Sequence, residues 1–111
     1  MIIINASREF TVKEIYSMTH GHHNQQIKQI KDGEVMHVTG WLKYEDVNSS
    51  GEVVPLLAIE TDMGIVAGSS PTFEKEFFYI AGLFDNKPGF DIAKVTGLSK
   101  NGRTYHSCEL A

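Results

Sequence analysis

Cysteine is nearly absent from this sequence. Cys108 is the single thiol in 111 residues, so no internal disulfide can staple the chain. One unpaired cysteine is what a reducing cytoplasm accommodates. No apolar run approaches the roughly 20 residues that a membrane-crossing helix requires. Ile2-Ile3-Ile4 lacks the basic flank and the length of a signal peptide. Proline is scarce, three residues in all, and no Pro-, Gly- or Ser-rich tract marks a linker. The motifs that announce catalysis are missing too. There is no Gly-x-Ser-x-Gly, no phosphate-binding Walker loop, no dinucleotide fingerprint and no His-Glu-x-x-His. Metal-ligand spacing is absent as well: His20, His22 and His23 cluster around Gly21 with no thiol near them, which reads as a solvated, glycine-broken loop. The expectation is a non-enzymatic protein with no cofactor and no bound metal.

An excess of positive charge is also lacking. Ten Lys and Arg stand against fourteen Asp and Glu, for a net charge of −4, which by itself disfavours non-specific attraction to nucleic acid. The charges are unevenly spread. Residues 45–91 hold nine acids and only Lys75 and Lys87 as bases, whereas the flanking segments carry a small basic surplus. An anionic ligand is therefore expected to meet the two ends of the chain.

Composition is that of one ordinary globular domain, with 41% hydrophobic and 22% charged residues. A domain of this size buries about two-thirds of its unfolded surface and needs no staple. The chain divides at Glu34. Residues 1–33 read as a helical N-terminal extension. Thr11-Val12-Lys13-Glu14 is a capping box, Phe10 and Ile15 form a hydrophobic staple, and the helix ends near Thr19. A second helical turn follows over 25–33, with Ile27 and Ile30 inward. The stub Ile2-Ile3-Ile4 is left as an added strand, either for the barrel or for a neighbouring molecule.

From Glu34 the period is two. Met36, Val38, Gly40, Leu42 and Tyr44 are expected on the core face of the first strand, with His37, Thr39, Trp41 and Lys43 on the other. Strands follow at Val53–Thr61 and Ile65–Gly68. Ser70 caps a helix that has Pro71 at its first position and a stripe of Phe73, Phe77, Ile80 and Phe84. Phe90–Leu98 and Arg103–Leu110 form a hairpin across Asn101-Gly102. This string over 34–111 predicts a mainly β, α+β fold: an OB-like five-stranded Greek-key barrel with its helix between strands three and four.

Two patches carry the functional expectation. A two-residue Asn101-Gly102 turn sets Lys100 opposite Arg103, Leu98 opposite Tyr105 and Lys94 opposite Glu109, all on one face. Val95 and Cys108 then face the core. Lys94, Lys100, Arg103 and Tyr105 would neutralise phosphates and stack a base, and His37, Trp41 and Lys43 repeat that theme on the first strand. The plain alternative is a solvated hairpin whose Tyr105 packs on Leu98. Ser69-Ser70-Pro71-Thr72 is explained by ordinary capping.

The residues also support a resemblance. Ile3-Ile4-Asn5-Ala6-Ser7, Glu14-Ile15-Tyr16, Ile30-Lys31-Asp32 and Trp41-Leu42-Lys43-Tyr44-Glu45-Asp46 occur in order. Ser70-Pro71-Thr72-Phe73 and Gly97-Leu98-Ser99-Lys100-Asn101-Gly102-Arg103-Thr104-Tyr105 complete the series. In these segments the chain resembles the small single-stranded DNA-binding proteins of tailed phages and of mobile elements of Gram-positive bacteria. The resemblance implies sequence-tolerant coating of single strands during DNA replication or recombination in the host cytoplasm. DNA contacts are then expected at Trp41, Lys43, Lys100, Arg103 and Tyr105. The implied partners are single-stranded DNA, replication or recombination proteins, and further copies of the chain through oligomerisation or cooperative self-association, with no membrane. His20-Gly21-His22-His23 departs from that family's pattern, and Leu110-Ala111 carries no acidic recruiting tail. The alternative is a protein-interaction module, an inhibitor or adaptor, working through the acidic surface of 45–91.

Overall fold

One long bent strand organises the molecule. In a computed structural model that describes residues 1–111, the chain runs β1 (Ile2–Ala6), α1 (Val12–His20), β2 (Gln25–Gln26), a 3-10 turn (Ile27–Gln29), β3 (Val35–Val47), β4 (Val53–Thr61), β5 (Gly64–Gly68), α2 (Pro71–Leu83), β6 (Phe90–Leu98) and β7 (Thr104–Leu110). β3 pairs along one edge with β4. Along the other edge it pairs first with β6, through Val35–Val38, and then with β1, through Leu42–Glu45. The sheet has seven strands in the order β2-β5-β4-β3-β6-β7, with β1 as a branch on β3. The fold is mixed α+β and mainly strand, a sheet curled into a half-barrel with two helices. Two of the seven strands come from the N-terminal segment, which is therefore not wholly helical, and the isoleucine stub pairs within its own sheet. No helix is long and apolar enough to cross a membrane.

The local signals hold at both helices. At α1 the Thr11 hydroxyl accepts from the Glu14 amide at 3.2 Å and the Glu14 carboxylate accepts from the Thr11 amide at 2.9 Å. At α2 the Ser70 hydroxyl accepts from the Phe73 amide, with Pro71 at the first helical position. The α2 stripe buries Phe73, Phe77 and Ile80, while Phe84 sits past the last turn, stacked 5.1 Å from Phe90. The strand bounds of β4 and β6 match the expected ones.

β3 departs from simple alternation. Its register against β4 shifts between Val38 and Gly40, a bulge that inserts one residue and exchanges the faces beyond it. Met36 and Val38 lie in the main core, but after the bulge it is Trp41 that joins them there. Leu42 and Tyr44, expected on that same face, turn to the opposite side. There they form a second small core with Ala58 and with Met18 of α1, and Phe10 and Ile15 pack against it. The bulge thus gives the sheet two apolar faces, one for each helix.

The β6–β7 hairpin is offset by one residue from the expected register. Leu98 pairs with Thr104, Gly97 with Tyr105, Thr96 with His106 and Lys94 with Cys108. The turn spans Ser99 to Gly102, closed by the Gly102 amide on the Ser99 carbonyl at 2.9 Å, with Gly102 at φ 75°. A turn ending in a left-handed glycine adds one residue to the loop relative to a two-residue Asn-Gly connection.

Candidate nucleic-acid interface

The sheet does not close. β5, with its parallel partner β2, ends one side of the curl, and β7 ends the other. The first turn of α2 bridges them, where the Ser70 hydroxyl donates to the His106 carbonyl at 3.3 Å. A groove of about 710 Å³ opens at this seam. Thr104, Tyr105 and His106 form one wall, Gln26, Ile27 and Lys28 another, and Ser69, Ser70, Pro71 and Thr72 the end at α2; Tyr44 and Leu56 reach it from the sheet. None of its fifteen lining residues is acidic, in a chain with fourteen acids. Ser70 serves the Phe73 and Glu74 amides, so the Thr72 amide is left free where the helix begins.

Tyr105 is the exposed aromatic of this groove, 38% accessible. Its ring lies against Gly97 across the ladder: a methyl group at Gly97 would stand 2.5 Å from the phenol oxygen and 2.6 Å from Cζ. A side chain at 97 would push the ring away, so the glycine sets where the aromatic rests. The hairpin tip next to it carries Lys100 and Arg103, both exposed and in no ion pair. Of these three predicted residues Tyr105 lines the groove, while Lys100 and Arg103 lie at the tip of the same hairpin, outside its lining.

The other predicted residues do not join them. Trp41, expected as a stacking platform, is 1% exposed. Its ring packs edge-on to Phe77 and Phe78 at 5.5 and 6.3 Å, and its Nε1 donates to Asn5 Oδ1 at 3.4 Å. The bulge at Thr39-Gly40 is the reason. Lys43 lies on the same face as Trp41 and is paired with Glu74 of α2. His37 is exposed, but two carboxylates hold it: Asp91 accepts from or shares a proton with Nδ1 at 2.6 Å, and Asp62 accepts from its amide at 2.9 Å. That is a poor place for a phosphate.

Lys94, expected on the solvated face of the hairpin, is 1% exposed. The one-residue register offset carries it inward, opposite Cys108. Its Nζ lies 3.2 Å from the Ile30 carbonyl, 2.9 Å from Thr96 Oγ1 and 3.0 Å from His106 Nδ1. Burial pushes its pKa down, opposed by the nearby Asp32 carboxylate. Asp32 is itself fixed by accepting from the Thr96 amide at 2.8 Å. His106 is pushed toward the neutral form, first by burial and then by Lys94 and Lys28.

Lys28 and His106 were not among the expected site residues. Lys28 was readable as an outward position between the inward Ile27 and Ile30. His106 needed the true hairpin register. Compared with known proteins, the chain matches no protein-family model, no curated protein and no solved structure. No three His, Cys, Asp or Glu side chains gather as a metal site, and His20, His22 and His23 remain apart from any such group.

Proposed function

We propose that this protein binds single-stranded DNA, without strong sequence preference, along the groove between β7 and the start of α2. The observation that carries the reading is the conjunction at one seam. An acid-free groove in an otherwise acidic chain is lined by an exposed tyrosine and Lys28, and the hairpin that carries the tyrosine ends in two unpaired cations. Strand-tolerant binders combine these same elements, a positive track for the backbone and aromatic faces for the bases. Tyr105 stacks a base, Lys100 and Arg103 neutralise phosphates at the hairpin, and Lys28 does so across the groove. The order β3, β4, β5, α2, β6, β7 supports an OB-like barrel opened between β5 and β7, with β1 and β2 as additions. The resemblance to phage and mobile-element single-strand binders supports a role in coating DNA during replication or recombination.

The test is anisotropy of a labelled 30-mer of dT at two salt concentrations. With Lys28, Lys100 and Arg103 as the contacts, log K should fall against log salt with a slope of about −2. The double variant Lys100→Ala/Arg103→Ala should flatten that slope and weaken binding. Absence of binding at low salt would overturn the reading and turn attention to the acidic 45–91 surface.

A further inference from the structure

Lys94 is a buried charge that does not itself line the groove, yet its surroundings are fully specified. An ammonium has three N–H donors and no acceptor. Three groups meet Nζ: the Ile30 carbonyl, Thr96 Oγ1 and His106 Nδ1, at 3.2, 2.9 and 3.0 Å. The carbonyl can only accept, and the hydroxyl and the imidazole nitrogen can both do so. The set therefore matches a protonated lysine whose every proton is used. It also fixes the histidine: a nitrogen that accepts from an ammonium carries a lone pair, so the His106 proton sits on Nε2. That second nitrogen has no partner within the protein, and His106 lines the groove with its Nδ1 edge turned to Lys94.

We propose that Lys94 and His106 together form a phosphate-binding element in the groove wall, the buried ammonium locking a neutral imidazole that presents its Nε2–H to a phosphate oxygen. The occupant, a phosphodiester, rests on the single-strand reading above. Lys94 is the positioning residue and His106 the contact. A buried cation behind the ring polarises the outward N–H toward a charge-assisted donor. Because the ring is already neutral, it acts without taking up a proton. The charged groups facing the ring are Lys94 from β6 and Lys28 from the 3-10 turn, and both oppose imidazolium formation; Asp32 acts on Lys94. Tyr44 and Tyr105 are also lining residues of the groove, the Tyr105 ring lying over Gly97.

The test is long-range nitrogen–proton correlation on histidine-labelled full-length protein, free and with inorganic phosphate or a 12-mer of dT. The expected result is the Nε2–H tautomer of His106 in free protein, still neutral at pH 6.5, the ordinary imidazole midpoint. Its Nε2–H resonance should shift with both probes. Lys94→Met should release a mixture of tautomers, and the ring should then gain a proton at a higher pH than in the wild type, with burial and Lys28 still holding it down. His106→Phe should weaken oligomer binding roughly tenfold, and His106→Gln, which keeps an acceptor for Lys94 and a donor for the groove, should restore most of it. A doubly protonated or Nδ1–H ring in the free protein overturns the proposal. So does an Nε2–H that responds to neither probe while the oligomer binds. A response to phosphate in a protein that binds no oligomer keeps the anion site and ends the single-strand reading instead.

Discussion

Tyr105 rests on Gly97, its direct partner across the β6–β7 ladder, and the absence of a side chain at 97 is what lets the ring settle there. The ring proposed to stack a base is therefore held by a residue that does not line the groove.

Gly97→Ala should displace the ring and lower oligonucleotide affinity nearly as much as Tyr105→Ala. Each should cost about 1–3 kcal/mol, the usual worth of one base–aromatic stack. Anisotropy titrations of the two variants, beside their thermal melts, check this. Gly97→Ala with unchanged affinity would mean that the ring position is irrelevant to binding.

Trp41 should behave as a core residue. Trp41→Ala should destabilise the fold by about 3–5 kcal/mol in chemical denaturation, as large-to-small core changes do. Its emission in the wild type should not be quenched by an oligomer, since Phe77, Phe78 and Phe90 surround the ring. Strong quenching would return the tryptophan to the binding surface.

The reason Trp41 was not readable is specific. Val35 to Val47 looks like one uninterrupted alternation, and a bulge leaves only Thr39-Gly40 as its mark. Glycine inside a strand pattern is the available signal, but nothing local says on which side of it the period exchanges. Lys94 fails for a related reason. Asn101-Gly102 fits a two-residue turn and also a longer loop beginning at Ser99 with glycine at its left-handed end, and the two differ by one residue of register. Element existence was legible throughout 53–110, because capping, turn glycines and the phenylalanine stripe are local. The groove was not, because it is a seam between β5 and β7 that no local pattern describes.

Glu14 joins the capping box to Arg8, whose guanidinium lies 2.7 Å from its carboxylate. Arg8 first, and then the Thr11 amide, hold the Glu14 carboxyl down at about 2, from an ordinary 4.5. A carboxyl lowered on folding stabilises fully above its unfolded value, and the contribution fades as pH falls through the folded one. The docking of α1 should therefore weaken between about pH 4.5 and 2. Following the Glu14 carboxyl by NMR should give a midpoint near 2 in the wild type, and in Arg8→Met one clearly higher, toward 4.5. An unchanged midpoint in the variant would remove Arg8 as the cause.

Cys108 should be inert in the native protein. It is 3% exposed, and burial, with Glu76 adding to it, raises the thiol from 9.0 to about 12. Thiolate is the reactive form, so a thiol reagent at pH 8 should label the chain only at the rate of unfolding. Rapid labelling of folded protein would show that the contact between β7 and α2 opens readily.

The central claim is that the seam between β7 and the start of α2 holds a single strand. Chemical-shift mapping of amide-labelled protein with a 12-mer of dT tests it most directly. Perturbations should concentrate at Thr104–His106, Lys28 and 69–72, and extend to Lys100 and Arg103 at the hairpin tip. Saturating binding that leaves these amides unmoved, or shifts confined to β1, α1 or the acidic 45–62 segment, would contradict it.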